Sequence, residues 1–163
     1  AEVNLTTECM VAASKHDGLS VIEVLVNCMI FNNGTHKAFA GDKEVRAEHT
    51  ITLRQGEKML FGKNMDKGLM LDNMKLKVVT VGENGVTLDD ILVHDAHEKD
   101  TMVHVMLASM KYPDFPVALG IIRDVAEPTY EREVARQIAE VQATAKIKNV
   151  DDLLNSGETW EVE

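Results

Sequence analysis

The sequence is poor in cysteine, proline and aromatic residues, and it has no long apolar run. Cys9 and Cys28 are the two cysteines among 163 residues. This count excludes the dense disulfide framework of a small secreted domain and predicts a cytoplasmic protein. The longest apolar stretches, at 20–26 and 117–122, are much shorter than the roughly 20 residues that cross a bilayer. We therefore expect no membrane partner.

Acidic residues outnumber basic ones, with 27 Asp and Glu against 17 Lys and Arg and a net charge of −10. The negative electrostatic potential of such a protein opposes nonspecific binding to nucleic acid or to an anionic lipid surface. Nucleic acid is therefore not an expected partner. Hydrophobic residues make up 45% of the chain, which is enough for a packed core.

The chain begins at Ala1 without a methionine and soon enters a predicted helix. We therefore expect a fragment of a longer polypeptide, folded as a single domain over 1–163. Within it we expect a helix and a core strand over 1–31, a β-rich excursion over 32–98, and an α/β carboxyl-terminal part over 99–163.

The first helix is predicted to be capped by Thr6 or Thr7 and to end near Gly18. The residues from Leu19 to Val26 then form a nearly continuous aliphatic and β-branched run. Such a run is typical of a strand that is covered on both faces.

Short apolar runs separated by turn signals at 72–73 and 82–85 predict a small antiparallel β meander in the middle of the chain. Its predicted strands are 69–71, 76–81 and 86–93. Further elements are expected after residue 99: a helix capped by Asp100 that ends before Pro113, a buried strand at 117–122, a helix from Pro128 to about Lys146, and a short helix at 151–155.

Known catalytic signatures are absent from the sequence. It contains no GxGxxG opening a helix, no phosphate-binding GxxxxGK[ST], no GxSxG and no CxxC. A chain with so few recognisable catalytic residues is expected to contribute part of an active site rather than a complete one.

The densest polar cluster contains His94, Asp95 and His97. A His-x-x-His pair beside carboxylates could bind a divalent metal, and a small metal-dependent hydrolase is one hypothesis. The alternative is a solvated loop that caps the helix beginning near Asp100. His104 is predicted to be a packed histidine on that helix.

Cys28 directly follows the predicted strand, at the carboxyl end where open α/β sheets bind ligands. Its position alone leaves two interpretations, a functional thiol or a buried small hydrophobe. For Cys9 only the second interpretation applies.

Seven segments, in order along the chain, resemble the carboxyl-terminal half of the β subunit of 2-oxoacid:ferredoxin oxidoreductases, which are thiamine-diphosphate enzymes. They are HDGLSVIEVLVNCMIFN at 16–32, FG at 61–62 with the glycine at 68, VTVGENG at 79–85, LVHD at 92–95, YPDFPVALG at 112–120, PTY at 128–130 and DLLNSGETW at 152–160. The resemblance is closest to the 2-oxoglutarate branch of the family.

The resemblance implies an α/β fold: a partial thiamine-diphosphate-binding α/β domain with a small antiparallel β excursion and carboxyl-terminal helices. It implies oxidative decarboxylation of a 2-oxoacid with coenzyme A to acyl-CoA and CO2, with electrons passing to ferredoxin. Thiamine diphosphate, Mg²⁺ and a 4Fe-4S cluster are the implied cofactors of the complete enzyme, and an α subunit and ferredoxin are the implied partners.

Cys28 is the one family ligand that carries over, because it matches a cysteine that binds the cluster of the β subunit. Met29 follows it where many relatives have proline. The GDGD-type motif that holds the cofactor pyrophosphate and the magnesium, and the remaining cluster cysteines, have no match in this chain. We therefore expect no catalytic or thiamine contacts, and no activity, in the chain alone.

The strand beginning at Leu19 would normally have neighbours from the unmatched half, so its apolar edge favours self-association into a homo-oligomer. The alternative function, from another class, is a stand-alone protein-interaction module derived from such a subunit.

Overall fold

A computed structural model describes residues 2–160 and residue 162, and it has a mixed α/β arrangement. The helices are α1 (Val3–Lys15), α2 (Lys37–Ala40), α3 (Lys43–His49), α4 (Met102–Ala108), α5 (Tyr130–Thr144) and α6 (Val150–Leu154). The strands are β1 (Thr50–Leu53), β2 (Leu60–Phe61), β3 (Lys67–Asp72), β4 (Lys75–Thr80) and β5 (Val117–Gly120). The predicted fold class, with a small antiparallel sheet and carboxyl-terminal helices, is confirmed.

The chain divides into two compact units. The first contains the residues up to His16 together with Ser20–Val125, and the second contains Asp17–Leu19 together with the residues from Ala126 onward. The single domain expected over 1–163 stays a prediction.

The core of the first unit lies where two small sheets supply apolar side chains. Strand β1 pairs in parallel with β5, and Ile51 and Leu53 on β1 are 1% and 3% exposed while Thr52 between them is exposed. This alternation follows from the two-residue period of a strand. The remaining buried members of the core cluster are Met59, Phe61, Leu69 and Leu107.

The antiparallel sheet has the strand order β2-β3-β4. Asn73 and Met74 join β3 to β4 with φ angles of 46° and 63°, and positive φ at both central residues is the backbone of a tight hairpin turn. The predicted meander is therefore present, but the strand predicted at 86–93 is wrong. Thr87 and Asp90 form a reciprocal capping box around a single 3-10 turn, and these local side-chain bonds compete with a strand ladder.

Helix α1 is present as predicted, but its predicted cap is wrong. Thr6 and Thr7 lie inside the helix, and their hydroxyls donate to the main-chain oxygens of Glu2 and Val3, four residues earlier. Helix α4 agrees with the prediction, since an oxygen of Asp100 accepts from the amide of Met102 at 2.7 Å.

The predicted core strand from Leu19 to Val26 is also wrong for this chain. In the part of the chain that the structure describes, these residues form no strand ladder. Val21 is 86% exposed, and Val24 is 48% exposed. A strand needs a neighbour for its N–H and C=O groups, and the described residues supply none.

The second unit contains α5 and α6, and none of its described residues is buried. Thr129 caps α5 by accepting from the amide of Arg132 at 3.3 Å, which confirms the predicted start of this helix. Ile138 and Val141 from its apolar stripe are 52% and 61% exposed. No helix within 2–160 has the length and apolar character that a membrane crossing requires.

Candidate functional site

Cys28 lies in a tight loop that presents its thiol to solvent. The amide of Asn32 donates to the main-chain oxygen of Cys28 at 3.0 Å and closes the turn. The side chain of Asn27 accepts from the amide of Gly34 at 2.7 Å and donates to Asn33 at 3.1 Å. Local polar contacts therefore fix this loop.

Main-chain N–H groups surround the sulfur of Cys28. The amide of Phe31 donates to Sγ at 3.4 Å. This hydrogen bond, followed by those from Ile30 and Asn32, lowers the pKa of the Cys28 thiol from its ordinary value. Because N–H donors stabilise the charged form, the loop favours the thiolate, which is the form that ligates metals.

The structure places one potential thiolate ligand at this point rather than a complete ligand set. Among residues 2–160 and 162, no group of three or more His, Cys, Asp or Glu side chains is arranged to hold a metal ion. Cys9, the other cysteine, lies on α1, and partial burial raises the pKa of its thiol. Within the described residues, Cys28 is therefore not part of a set of three or more ligands for a metal ion.

His94 is buried in the first unit, with 1% of its surface exposed. Its Nε2 donates to the main-chain oxygen of Ile121 at 2.8 Å, which leaves Nδ1 as the unprotonated nitrogen. That atom is buried without a hydrogen-bond partner. Burial is the main cause that lowers the pKa of His94, and the neighbouring His104 acts in the same direction.

His97 and His104 bind main-chain atoms elsewhere. Nδ1 of His97 donates to the main-chain oxygen of Asp124 at 2.7 Å. Nε2 of His104 donates to the main-chain oxygen of Asp95 at 2.8 Å, while its Nδ1 accepts from Arg123 at 3.0 Å. His104 is 5% exposed, which confirms it as a packed histidine.

The metal hypothesis for the cluster at 94–97 is therefore wrong. Its histidines use ring nitrogens to hold backbone segments together, and the Asp95 carboxylate accepts from Gln55 at 2.9 Å and from the amide of His97 at 3.0 Å. These contacts fix the loop after residue 93 against the segment that follows β5.

A small pocket of about 170 Å³ lies at the carboxyl ends of the parallel strands β1 and β5. This is the end of a parallel sheet at which α/β proteins commonly bind ligands. Its polar lining comes from Glu8, Arg54, Gln55, His97 and Asp124. The guanidinium of Arg54 lies 3.6 Å from the carboxylate of Glu8, so the positive charge in this pocket already has an internal partner.

Sequence reasoning missed this pocket because it missed β1. The available signal was the alternating run of Thr and aliphatic residues at 50–53. Because β1 was not predicted, the predicted strand at 117–122 had no parallel neighbour. The sequence analysis therefore could not predict that the carboxyl ends of these two strands lie side by side.

Comparison with known proteins identifies one relative by sequence. The 2-oxoglutarate oxidoreductase subunit KorB of Mycobacterium tuberculosis is 31% identical over 98% of this chain. The chain spans only 43% of the length of that curated relative. No family model and no solved structure matches the chain. The resemblance predicted from the sequence segments is confirmed, and it extends over almost the whole chain.

Proposed function

We propose that this chain, which is similar over nearly all its length to a 2-oxoglutarate oxidoreductase subunit, is the carboxyl-terminal part of the β subunit of a 2-oxoglutarate:ferredoxin oxidoreductase. The observation that carries the proposal is the 31% identity over 98% of the chain. The chain contributes a scaffold, subunit contacts and one cluster ligand to an enzyme that is active only when complete.

The complete enzyme oxidatively decarboxylates 2-oxoglutarate with coenzyme A, releasing acyl-CoA and CO2, and passes the electrons to ferredoxin. Thiamine diphosphate with Mg²⁺ supplies the carbanion chemistry when bound. The described residues hold no recognisable site for either group, so those contacts belong to the part of the subunit that has no counterpart here.

Cys28 is proposed as one thiolate ligand of a 4Fe-4S cluster, which supplies one-electron transfer when bound. The chemistry of the donor supports this role, because the thiol is exposed and main-chain N–H groups lower its pKa. N–H donors to a ligating sulfur are also among the features that tune the potential of such clusters. With a single ligand present, the isolated chain is expected to hold no cluster.

An α subunit is the proposed partner in the complex, and ferredoxin is the proposed electron acceptor. The assembly is proposed to be cytoplasmic. In the absence of its partners, the chain is proposed to form a homo-oligomer through its exposed apolar surface.

The test is a chimeric subunit in which this chain replaces the matching part of KorB, produced together with the α subunit. We expect 2-oxoglutarate and coenzyme A to reduce a viologen dye, and the protein to show the visible and low-temperature spin-resonance signals of a 4Fe-4S cluster. Cys28→Ser should remove the cluster signal and at least nine-tenths of the activity. Cys9→Ser is the matched control and should retain both.

Two outcomes would contradict the proposal. A soluble chimera that assembles with the α subunit but never reduces the dye would refute the function. An active chimera in which Cys28→Ser keeps its full iron and sulfide content would refute the ligand assignment alone.

The exposed apolar residues at 20–31 favour a second candidate function, a stand-alone protein-interaction module derived from such a subunit. That candidate predicts a stable complex with a partner protein and no cluster in any assembly. The iron content of the chimera distinguishes the two functions.

A further inference from the structure

The pocket at the carboxyl ends of β1 and β5, here named the strand-end pocket, lies entirely within the first unit. Its volume is about 170 Å³. An engineered protein cavity of about 150 Å³ binds benzene, so the strand-end pocket has room for a molecule of about six non-hydrogen atoms. The function proposed above assigns no ligand to it.

One part of the lining is apolar. Leu5 on α1, Leu53 at the end of β1 and Ile121 after β5 contribute aliphatic residues to it. Such a wall favours contact with an alkyl group over contact with a hydrated ion. A bare metal ion is also disfavoured, since the part of the chain that the structure describes contains no group of three or more His, Cys, Asp or Glu side chains arranged to hold one. The pocket therefore fits a small organic molecule.

The polar part of the lining offers more hydrogen-bond acceptors than donors. Nδ1 of His97 donates to the main-chain oxygen of Asp124, so Nε2 of the neutral ring is an acceptor. Oδ1 of Asp124 accepts from Nδ1 of His16 at 2.8 Å, and a carboxylate has capacity for further donors. The side-chain amide of Gln55 already bonds to the loop after residue 93 through both its nitrogen and its oxygen. The ligand must therefore supply donors.

The charges of the lining favour a cation. Glu8 and Asp124 are carboxylates, and the guanidinium of Arg54 lies 3.6 Å from the carboxylate of Glu8. Two carboxylates against one guanidinium leave a net charge of −1 when His97 is neutral. The whole chain carries −10, and a potential of this sign attracts cations and repels anions.

We propose that the strand-end pocket binds a primary ammonium group carried on a short alkyl chain. The ammonium has three N–H donors, which match the carboxylates of Glu8 and Asp124 and Nε2 of His97. The alkyl chain matches the aliphatic wall. A free amine and a lysine side chain present this same group. The binding site does not depend on the proposed function, so the chain as it stands can be used to test it.

A nuclear magnetic resonance titration of the full chain tests the head group. The probes are butylammonium, butanol and butyrate, which share a short alkyl chain and differ in charge. We expect butylammonium to shift the methyl signals of Leu53 and Ile121 and to saturate in the millimolar range. Butanol and butyrate should each bind at least tenfold more weakly. No shift with butylammonium, or equal binding of either other probe, would overturn the proposal.

Charge-removing variants test which residues recognise the ammonium. Asp124→Asn keeps an oxygen that can accept from His16 and should weaken butylammonium binding at least fivefold. Glu8→Gln removes the carboxylate beside Arg54, so the ratio of butylammonium affinity to butyrate affinity should fall at least fivefold. Asp89→Asn is the control, because Asp89 lies outside the lining with a fully exposed side chain.

The control should bind butylammonium as the wild type does, although it carries the same change in net charge. Wild-type behaviour of Asp124→Asn or of Glu8→Gln would overturn the proposal. An equal loss of binding in Asp89→Asn would do so as well, because it would show that the net charge of the chain and not the pocket attracts the probe. All three changes conserve side-chain size, and thermal midpoints equal to that of the wild type confirm that each variant is folded.

A further probe, α-acetyl-lysine amide, distinguishes the two sources of the ammonium group. Binding at least as tight as that of butylammonium, with the same methyl shifts, identifies a lysine side chain of a protein. Weaker binding identifies a free amine. Either result supports the site, whereas methyl shifts outside the strand-end pocket with both probes would overturn it.

Discussion

Protonation of His94 should control part of the acid sensitivity of this protein. The ring is 1% exposed, its Nε2 donates to the main-chain oxygen of Ile121, and its unprotonated Nδ1 is buried without a hydrogen-bond partner. A proton added at Nδ1 would place a charge in the core beside the ring of His104, whose centroid lies 6.4 Å away. Burial and His104 lower the pKa of His94, and the hydrogen bond to Ile121 and the Asp95 charge offset these effects only in part.

The sign follows from which state binds the proton. Burial lowers the pKa of His94 below its ordinary value of 6.5, so the unfolded chain binds a proton at a higher pH than the folded chain does. The free energy of unfolding is therefore unaffected by this group well above pH 6.5 and falls as the pH drops below that value. Each pH unit over which only the unfolded state is protonated costs about 1.4 kcal/mol.

From pH 7 to pH 5 the loss has an upper limit of about 2 kcal/mol, which is reached if His94 stays unprotonated in the folded protein throughout. His94→Gln keeps a donor for the oxygen of Ile121 and removes the titrating nitrogen. We expect urea unfolding, followed by circular dichroism at several pH values, to show a flatter pH dependence for this variant. Ile91→Val is the control, because it perturbs a buried residue without changing any titrating group. Equal slopes for His94→Gln and the wild type between pH 7 and pH 5 would refute the reasoning.

Two further predictions concern packing and thiol chemistry. Leu107 is 1% exposed in the core cluster, so Leu107→Ala should lower the free energy of unfolding by about 2–5 kcal/mol. Val105→Ala on the exposed face of the same helix should change it by less than about 0.5 kcal/mol in the same urea titration, and similar losses would argue against the core assignment. Cys28 should react with iodoacetamide at pH 8 several times faster than Cys9, because the thiol pKa is lowered at Cys28 and raised at Cys9. Peptide mapping measures both rates. A faster reaction at Cys9 would contradict the loop geometry at Cys28.

Local sequence signals predicted most of the elements because those elements depend on near neighbours. The apolar spacing that follows Pro128 predicted α5, and in the structure Thr129 caps that helix. The turn signal at 72–73 predicted the hairpin, which has positive φ at Asn73. Each of these features is decided by hydrogen bonds or side chains within a few residues.

Two of the predictions failed because a short-range interaction competes with a distant one. The aliphatic run at 86–93 suits a strand, but the capping box of Thr87 and Asp90 forms a local turn instead. The histidines at 94 and 97 have the spacing of metal ligands, but main-chain oxygens at 121 and 124 occupy one ring nitrogen of each. The spacing of two residues along the chain does not reveal which hydrogen-bond partners the fold brings to them.

The sequence by itself determined the class of elements, the resemblance of the chain and the identity of Cys28 as the residue to test, because these depend on residue types in order along the chain. Only the tertiary structure decided that Thr50–Leu53 meets Val117–Gly120 in a parallel pair, and that a pocket forms where both strands end. It also decided that the predicted core strand remains exposed. Burial depends on a neighbouring surface, and the described residues do not provide one for the run from Leu19 to Val26.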